Sequence, residues 1–259
     1  MTPTKLQSKT VFITGASSGI GQATATAFAA ESASLLLCAR RIDRLKELKA
    51  HLYRVHPEAK IHVFELDVRD RKAVDQALDA LPEEWRHIDI LVNNAGLSRG
   101  LDKLHEGSIE DWEEMLDTNV KGLLYVTRKV MPGMIERKHG HIINIGSIAG
   151  HEVYQKGNVY CASKHAVDAI TKGLRLDVVD TPLRVTTIDP GLVETEFSEV
   201  RFHGDTERAS TVYKGFEPLQ ASDIADTILW CATRPPHVQI AEIVIFPTAQ
   251  ASATTVHRQ

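Results

Sequence analysis

The stretch TVFITGASSGIGQATATAFAAE, residues 10–31, decides how the rest of the chain is read. A short apolar run enters a turn holding Gly15, Ser17, Ser18, Gly19, Ile20 and Gly21, and an alanine-rich segment with helical spacing follows. A strand passing through glycines into a helix start sets backbone N–H groups and the positive end of the helix dipole against a pyrophosphate. The spacing is G-x-x-x-G-x-G rather than G-x-G-x-x-G, and a glycine cluster alone is equally a tight turn. The weight therefore falls on what comes after it.

Six more apolar runs follow: SLLLCA (34–39), IHVFEL (61–66), IDILVNN (88–94), HIINIGS (141–147), RVTTIDP (184–190) and EIVIFP (242–247). Segments with helical spacing separate them. Strands alternating with helices predict a parallel sheet covered on both faces, and near-continuous apolar strands are what double burial requires. The reading is a single doubly wound Rossmann-type α/β domain over residues 1–259 with seven parallel strands. Its cofactor half spans about 1–140 and its catalytic and substrate half about 141–259. No linker, repeat or low-complexity tract interrupts it. The exception is LVETEFSEVRFHGDTERASTVYKGFE, residues 192–217, where charges crowd, periodicity fades and no strand is expected. Long irregular connections in compact domains often cover a site, so a lid is expected here.

With 259 residues, 43% hydrophobic, the chain can bury a sizeable core. A net charge of −4, dispersed along the chain, gives no basic face for nucleic acid or anionic lipid and points to a small-molecule ligand. Cys38, Cys161 and Cys231 have no metal-like spacing and read as packing residues in a reducing compartment. The polar start MTPTKLQSKT and the lack of any bilayer-length apolar run predict a soluble, cytoplasmic protein. The HGH at 139–141 leads into a strand without plausible partner ligands, so no metal is expected.

At the end of the second strand, where an acid would receive the 2′-hydroxyl of a bound adenosine ribose, Ala39 precedes Arg40 and Arg41. Two guanidiniums without a carboxylate suit a 2′-phosphate, so NADP(H) is the expected cofactor. Asp67 and Val68, ending the third strand, fit an adenine hydrogen bond and an apolar contact on the base; Asp67 is equally a helix N-cap. In VNNAG, Asn93, Asn94, Ala95 and Gly96 come to the same carboxyl edge, and small side chains there let a cofactor approach the backbone.

Tyr160 and Lys164 lie one helical turn apart in NVYCASKHA, residues 158–166. Spacing alone leaves them either a reactive pair or two amphipathic neighbours. A free phenol titrates near pH 10, and an ammonium on the same helix face would lower that value toward working pH. Cys161 and His165 share the spacing but are rotated about 100° away, so both pairs cannot face one ligand.

Taken in order, TGASSGIG, NNAG, Asn119 in DTNVKG, Ser147 in NIGSIAG, YCASK and PGLVET resemble the classical short-chain dehydrogenase/reductase family over almost the whole chain. The resemblance implies hydride transfer to or from a nicotinamide with Tyr160 as proton carrier. Lys164 then holds the nicotinamide ribose and lowers the tyrosine pKa, Ser147 orients the substrate oxygen, and Asn119 holds a water behind the lysine. Pro190, Gly191, Val193 and Thr195 would wrap the nicotinamide, and a homotetramer is implied. TEFSEVRFHGD and the terminal VHRQ are further similar to the branch of NADP-dependent 3-hydroxy acid dehydrogenases, which act on serine, allo-threonine and related acids or semialdehydes.

Within that branch Arg201, the only cation in FSEVRF, is the expected partner of a substrate carboxylate, whereas HEVYQK departs from the branch by supplying the bulkier, more charged His151, Glu152 and Lys156 to the pocket wall. The expected activity is interconversion of a small 3-hydroxy acid and its 3-oxo acid or semialdehyde. Two rivals stand beside it: a broad carbonyl reductase taking small anionic aldehydes such as a sulfonated one, and a dinucleotide-binding sensor without turnover.

Overall fold

The computed structural model describes residues 6–259. All seven predicted runs are strands of one sheet: β1 (Thr10–Thr14), β2 (Ser34–Ala39), β3 (Ile61–Glu65), β4 (Ile90–Asn93), β5 (His141–Ile145), β6 (Arg184–Pro190) and β9 (Glu242–Ile245). Their order is β3-β2-β1-β4-β5-β6-β9, and every neighbouring pair is parallel. The chain winds outward from β1 to β3 and returns to start the other half at β4. A crevice therefore opens between the carboxyl ends of β1 and β4, where open α/β sheets bind ligands.

Successive strand residues face opposite sides, so both sides must be covered. Val11 and Ile13 of β1 pack with Phe28 of α1 (Gly19–Ala30), Leu45 of α2 (Ile42–Val55) and Ile224 and Ile228 of α9 (Ala221–Ala232). Phe12, Leu36 and Leu91 point the other way, against Val74 of α3 (Arg71–Asp79), Val126 and Met134 of α5 (Leu123–Glu136) and Leu174 of α6 (Asn158–Asp177). Double burial explains why these strands read as unbroken apolar runs. No helix of the described residues is long and apolar enough to cross a membrane.

Polar side chains set two details. Asp70, not Asp67, caps α3, accepting the N–H groups of Lys72 and Ala73 at 2.8 and 3.1 Å. Asn93 faces the interior, where its amide donates to Thr127 Oγ1 (2.8 Å) and Asn144 Oδ1 (2.9 Å), and Asn144 continues to Thr171 Oγ1 (2.9 Å). This buried string ties β4, β5, α5 and α6 together, so Asn93 is a framework residue and its neighbour Asn94 reaches the crevice.

The 192–217 segment is more ordered than its composition suggests. It holds the short strand β7 (Val193–Glu194), which pairs in parallel with β8 (Leu219–Gln220), and two short helices, α7 (Phe197–Arg201) and α8 (Thr206–Thr211). Asp205 caps α8 by accepting the Arg208 N–H at 2.9 Å. The expectation of no strand here fails because two-residue strands carry no readable periodicity.

Candidate active site

A cleft of about 600 Å³ runs along the carboxyl edge of the sheet, from the glycine turn to the segment after β6. Its floor is a reciprocal tie between β1 and β4. Thr14 Oγ1 accepts the backbone N–H groups of Asn94 and Ala95, both at 3.0 Å, while the Asn94 amide donates to the carbonyls of Thr14 (2.9 Å) and Gly15 (3.1 Å). Gly15 takes φ +65° and a Cβ there would lie 2.9 Å from Ala95 Cα; a Cβ on Gly21 would lie 2.5 Å from both the Gly15 carbonyl and Asn94 Nδ2. Only glycine fits either position, and the turn presents bare backbone at the start of α1. This cradle fits the pyrophosphate of a dinucleotide. Asn94 acts here as a brace beneath the turn, a role shared with Thr14, which sequence reasoning did not single out.

At the adenosine end the two predicted arginines diverge. Arg41 donates to Ser18 Oγ (2.7 Å), Ser17 Oγ (3.3 Å) and Glu196 (3.0 Å), which sets its guanidinium at the mouth of the glycine turn. Arg40 donates to Glu114 at 3.1 Å, and the same carboxylate receives Arg69 and Arg99 at 3.3 and 2.7 Å. Glu114 belongs to α4 (Ile109–Leu116), so Arg40 is drawn toward that helix. Asp67 accepts from the Arg69 side chain at 2.6–3.0 Å. Burial pushes the Asp67 pKa up, but the bonds from Arg69 more than offset it and hold the carboxyl below its usual range. Val68 is buried and lines the cleft beside Asp67. Arg44, one helical turn after Arg41, was not anticipated; both of its contacts to Glu196 are 2.7 Å.

At the other end Ser147, Tyr160, Lys164 and Arg201 share the cleft. Ser147 follows β5 and does two things: its Oγ accepts the Ala149 N–H at 3.1 Å, capping a single 3-10 turn, and donates to the Pro190 carbonyl at 3.5 Å. Its own N–H donates to Asp189 Oδ1 at 3.1 Å. Tyr160 and Lys164 are buried on the same face of α6, with the ammonium 5.9 Å from the phenol ring centroid and donating to the Ile145 carbonyl at 2.9 Å.

Burial pushes the phenol well above 10, with Tyr154 adding to the rise and Ser147 and Arg201 opposing it. Desolvation of the phenolate is thus the dominant influence on Tyr160 among the protein's own groups. Lys164 itself is pulled down to about 8 by burial, against the opposing pull of Asp189.

Asn119 sits in the π-helical turn Asp117–Gly122 that joins α4 to α5. Its side chain makes three hydrogen bonds: Oδ1 accepts the Leu97 N–H at 2.8 Å, and Nδ2 donates to the Leu97 carbonyl (2.8 Å) and Ser163 Oγ (3.0 Å). Asn119 thus fixes the loop after Gly96 against α6, and Gly96 lies between it and Lys164.

Arg201 donates to the Gly100 carbonyl at 3.3 Å and to the Tyr154 hydroxyl, and its guanidinium stands 5.5 Å from the centroids of both Tyr154 and Tyr160. The wall expected from His151, Glu152 and Lys156 is instead made by Tyr154 and Gln155. His151 turns away, its Nε2 3.4 Å from Asp189 and its Nδ1 3.8 Å from Glu242. The two acids thus lie beside different ring nitrogens, and neither the buried Nε2 nor the buried Asp189 Oδ2 has a hydrogen-bond partner among the described residues. Glu152 accepts the Ala253 N–H at 2.8 Å. A Cβ on Gly146 would lie 1.8 Å from Asp189 Oδ1. Cys161 packs in the small core beside Tyr160, and burial raises its thiol pKa. Pro190, Gly191, Val193 and Thr195 line the cleft above the glycine turn, as do Ile20 and Ala95.

A glycine cradle at the switch point of a parallel sheet, opening onto a buried hydroxyl, phenol and ammonium, defines a class: a dinucleotide-dependent oxidoreductase. The chain belongs to the short chain dehydrogenase family, whose model matches residues 9–205. It is 47% identical over 251 residues to the NADP-dependent 3-hydroxy acid dehydrogenase YdfG of Escherichia coli O6:H1, covering 96% of this chain and 99% of that protein. It is 44% identical over 256 residues to an NADP-dependent 3-hydroxy acid dehydrogenase of Schizosaccharomyces pombe, covering 98% of each. The closed form of serine dehydrogenase complexed with NADP+ matches with a TM-score of 0.91 at 46% identity, covering 96% of this chain and 100% of that one. The protein is thus an NADP-dependent oxidoreductase of this family.

The cradle can be tested directly. Gly21→Ala adds a good helix former, yet its methyl must displace the Gly15 carbonyl or Asn94. NADP+ affinity measured by calorimetry is expected to fall about tenfold or more while the protein stays folded; unchanged affinity would remove the cradle from that role.

Proposed function

We propose that the protein interconverts small 3-hydroxy acids, such as serine, allo-threonine or 3-hydroxypropionate-like compounds, and their 3-oxo acids or semialdehydes. The observation that carries this reading is the Arg201 guanidinium, 5.5 Å from the ring of Tyr160 inside the cleft. A planar cation there can receive a substrate carboxylate by a bidentate contact while the neighbouring hydroxyl meets the phenol. The names of the similar dehydrogenases from Escherichia coli and Schizosaccharomyces pombe support the same substrate class.

Bound NADP supplies the hydride acceptor in oxidation and the hydride donor in reduction. Tyr160 gives its proton to the substrate oxygen in reduction and takes it back in oxidation; Ser147 orients that oxygen and stabilises the charge developing on it. Lys164 holds the ribose and supplies positive charge beside the phenol, and Asn119 keeps the loop after Gly96 in register with the lysine. Arg40, Arg41, Asp67 and Val68 bind the adenosine portion, and Pro190, Gly191, Val193 and Thr195 close over the nicotinamide.

A second reading, a broader carbonyl reductase that includes sulfonated aldehydes, draws on the same arginine, since a sulfonate offers it similar oxygens. A sensor without turnover is less well supported, because binding alone gives no reason to bury Tyr160 and Lys164 together. Specificity constants over a panel of 3-hydroxy acids, semialdehydes, sulfonated and uncharged aldehydes, with NADP and NAD, separate the three.

Tyr160→Phe is expected to lower kcat by about 10²–10⁴-fold while NADP+ still binds; if wild type and variant are equally inert, the enzymatic reading falls. Arg201→Met is expected to cut kcat/KM for 3-hydroxy acids by about 10–100-fold and to change uncharged aldehydes far less. Equal losses would refute the carboxylate contact.

The pH dependence follows from the direction of the Tyr160 shift. Burial keeps the phenol protonated through neutral pH, so reduction has its acid ready and oxidation must first lose a proton. Oxidation is expected to accelerate between pH 6 and pH 9, whereas reduction stays level or declines; the opposite slopes in steady-state rates would dismiss Tyr160 as the proton carrier.

We further infer a cytoplasmic homotetramer. Leu176 and Val179 near the end of α6, Trp230 on α9 and Val244 on the edge strand β9 are exposed, and three free buried cysteines suit a reducing compartment. Light scattering is expected to give four times the mass of the chain; a monodisperse monomer would end this reading.

A further inference from the structure

Glu196 begins the segment that roofs the cleft, immediately before α7. Both of its carboxylate oxygens receive Arg44 Nη1 at 2.7 Å, and one also receives Arg41 Nη1 at 3.0 Å. Arg41 meanwhile holds Ser17 and Ser18 of the glycine turn. The guanidinium pair after β2 is thus gripped by the cofactor turn on one side and by the roof on the other. Burial pushes the Glu196 pKa up, but Arg44 and Arg41 more than offset it, so the carboxylate is charged at neutral pH.

This arrangement differs from the one around Arg40. Glu114 is enclosed, with 18% side-chain exposure, and is held by Arg40, Arg69 and Arg99 together. Glu196 is 41% exposed and its two arginines 43% and 45%, so its ion pairs are solvent-screened and readily exchanged. A phosphate monoester brings nearly two negative charges and three acceptor oxygens to the same guanidinium forks. Arg41 and Arg44 cannot serve the phosphate fully while Glu196 keeps its oxygens on them, and a carboxylate left beside the phosphate is repelled.

We propose that Glu196 is an internal competitor for the cofactor's 2′-phosphate at Arg41 and Arg44. Binding NADP, but not NAD, then requires the carboxylate to give way, and Arg44 is a specificity-determining residue that binds the phosphate. The neighbouring Thr195 side chain lies against the place where a Cβ of Gly19 would stand, at 3.4 Å, so the roof touches the glycine turn where Glu196 is released. Cofactor choice and roof position are consequently linked, and the coupling is reciprocal: whatever holds Glu196 on the arginines weakens NADP, and NADP loosens Glu196. The proposal concerns the cofactor alone and stands whichever acid or aldehyde is the substrate.

The test is calorimetric titration of NADP+ and NAD+ into the wild type, Glu196→Gln, Arg44→Gln, Arg44→Lys and the Glu196→Gln/Arg44→Gln double variant. Glu196→Gln is expected to tighten NADP+ about two- to fivefold at low salt and to leave NAD+ unchanged, the gain shrinking as salt is raised. Arg44→Gln is expected to weaken NADP+ about tenfold without affecting NAD+, Arg44→Lys to restore part of that loss, and the double variant to show most of the Glu196→Gln gain abolished. A Glu196→Gln protein that binds NADP+ no better than wild type, or that shifts both cofactors equally, overturns the competition. Weakened NADP+ and NAD+ together in Arg44→Gln, with no rescue by lysine, would make Arg44 a structural residue instead.

Discussion

The site depends on a mutual hold between two strands that are distant in sequence and adjacent in the sheet. Thr14 ends β1 by accepting N–H groups from the chain leaving β4, and Asn94 of that chain donates back to the carbonyls leaving β1. Each segment satisfies polar groups that the parallel ladder leaves unpaired at its end, so neither needs water or a helix to finish it. The glycine turn is therefore braced from below before any ligand arrives. That permits Gly15 and Gly21 to sit at separations no side chain would tolerate. Everything along the carboxyl edge, from Arg41 to Arg201, is positioned relative to this joint.

Around Tyr160 the dominant force is desolvation rather than charge. The phenol is enclosed by Phe197, edge-on at 5.6 Å, and by Leu97 and Cys161. Two cations lie near its ring at 5.5 and 5.9 Å, one from the roof and one from its own helix. Neither lowers the phenol below its ordinary value, while the same burial takes Lys164 down to about 8. A hydroxyl and an ammonium kept this dry are poised to respond strongly to any further positive charge, because low local polarity magnifies each added interaction.

Much of this was legible in the chain itself, for reasons that differ by element. Strands buried on both faces must be apolar throughout, so β1–β6 and β9 announced themselves. The glycine turn and the Tyr160–Lys164 spacing were readable because close backbone approach and a shared helix face impose residue types at fixed intervals. What escaped depended on orientation or on long-range meeting. Asn93 and Asn94 are neighbours, and only the sheet pleat decides which one turns inward. Asp67 looked able to cap the helix after it, but the helix starts three residues later and Asp70 takes that role. Tyr154 was passed over although Arg201 reaches it from 47 residues away, and nothing near Arg44 in the chain marked it, because its partner Glu196 arrives from the far side of the cleft. β7 and β8 are too short for any pattern.

One contact behind the reacting groups ties two positions into a single unit of inheritance. Asp189 is 1% exposed and fills the space beside Gly146, where even a methyl carbon would fall 1.8 Å from its carboxylate. An acid at 189, in this rotamer, obliges glycine at 146, and a chain that gains a side chain at 146 must first surrender or redirect the acid. The two positions are thus coupled: a side chain at 146 is tolerated only where the acid at 189 has been replaced or turned aside. The acid also receives the Ser147 N–H and the Thr187 hydroxyl, so replacing it or turning it aside takes an anchor from the backbone of the serine in the cleft.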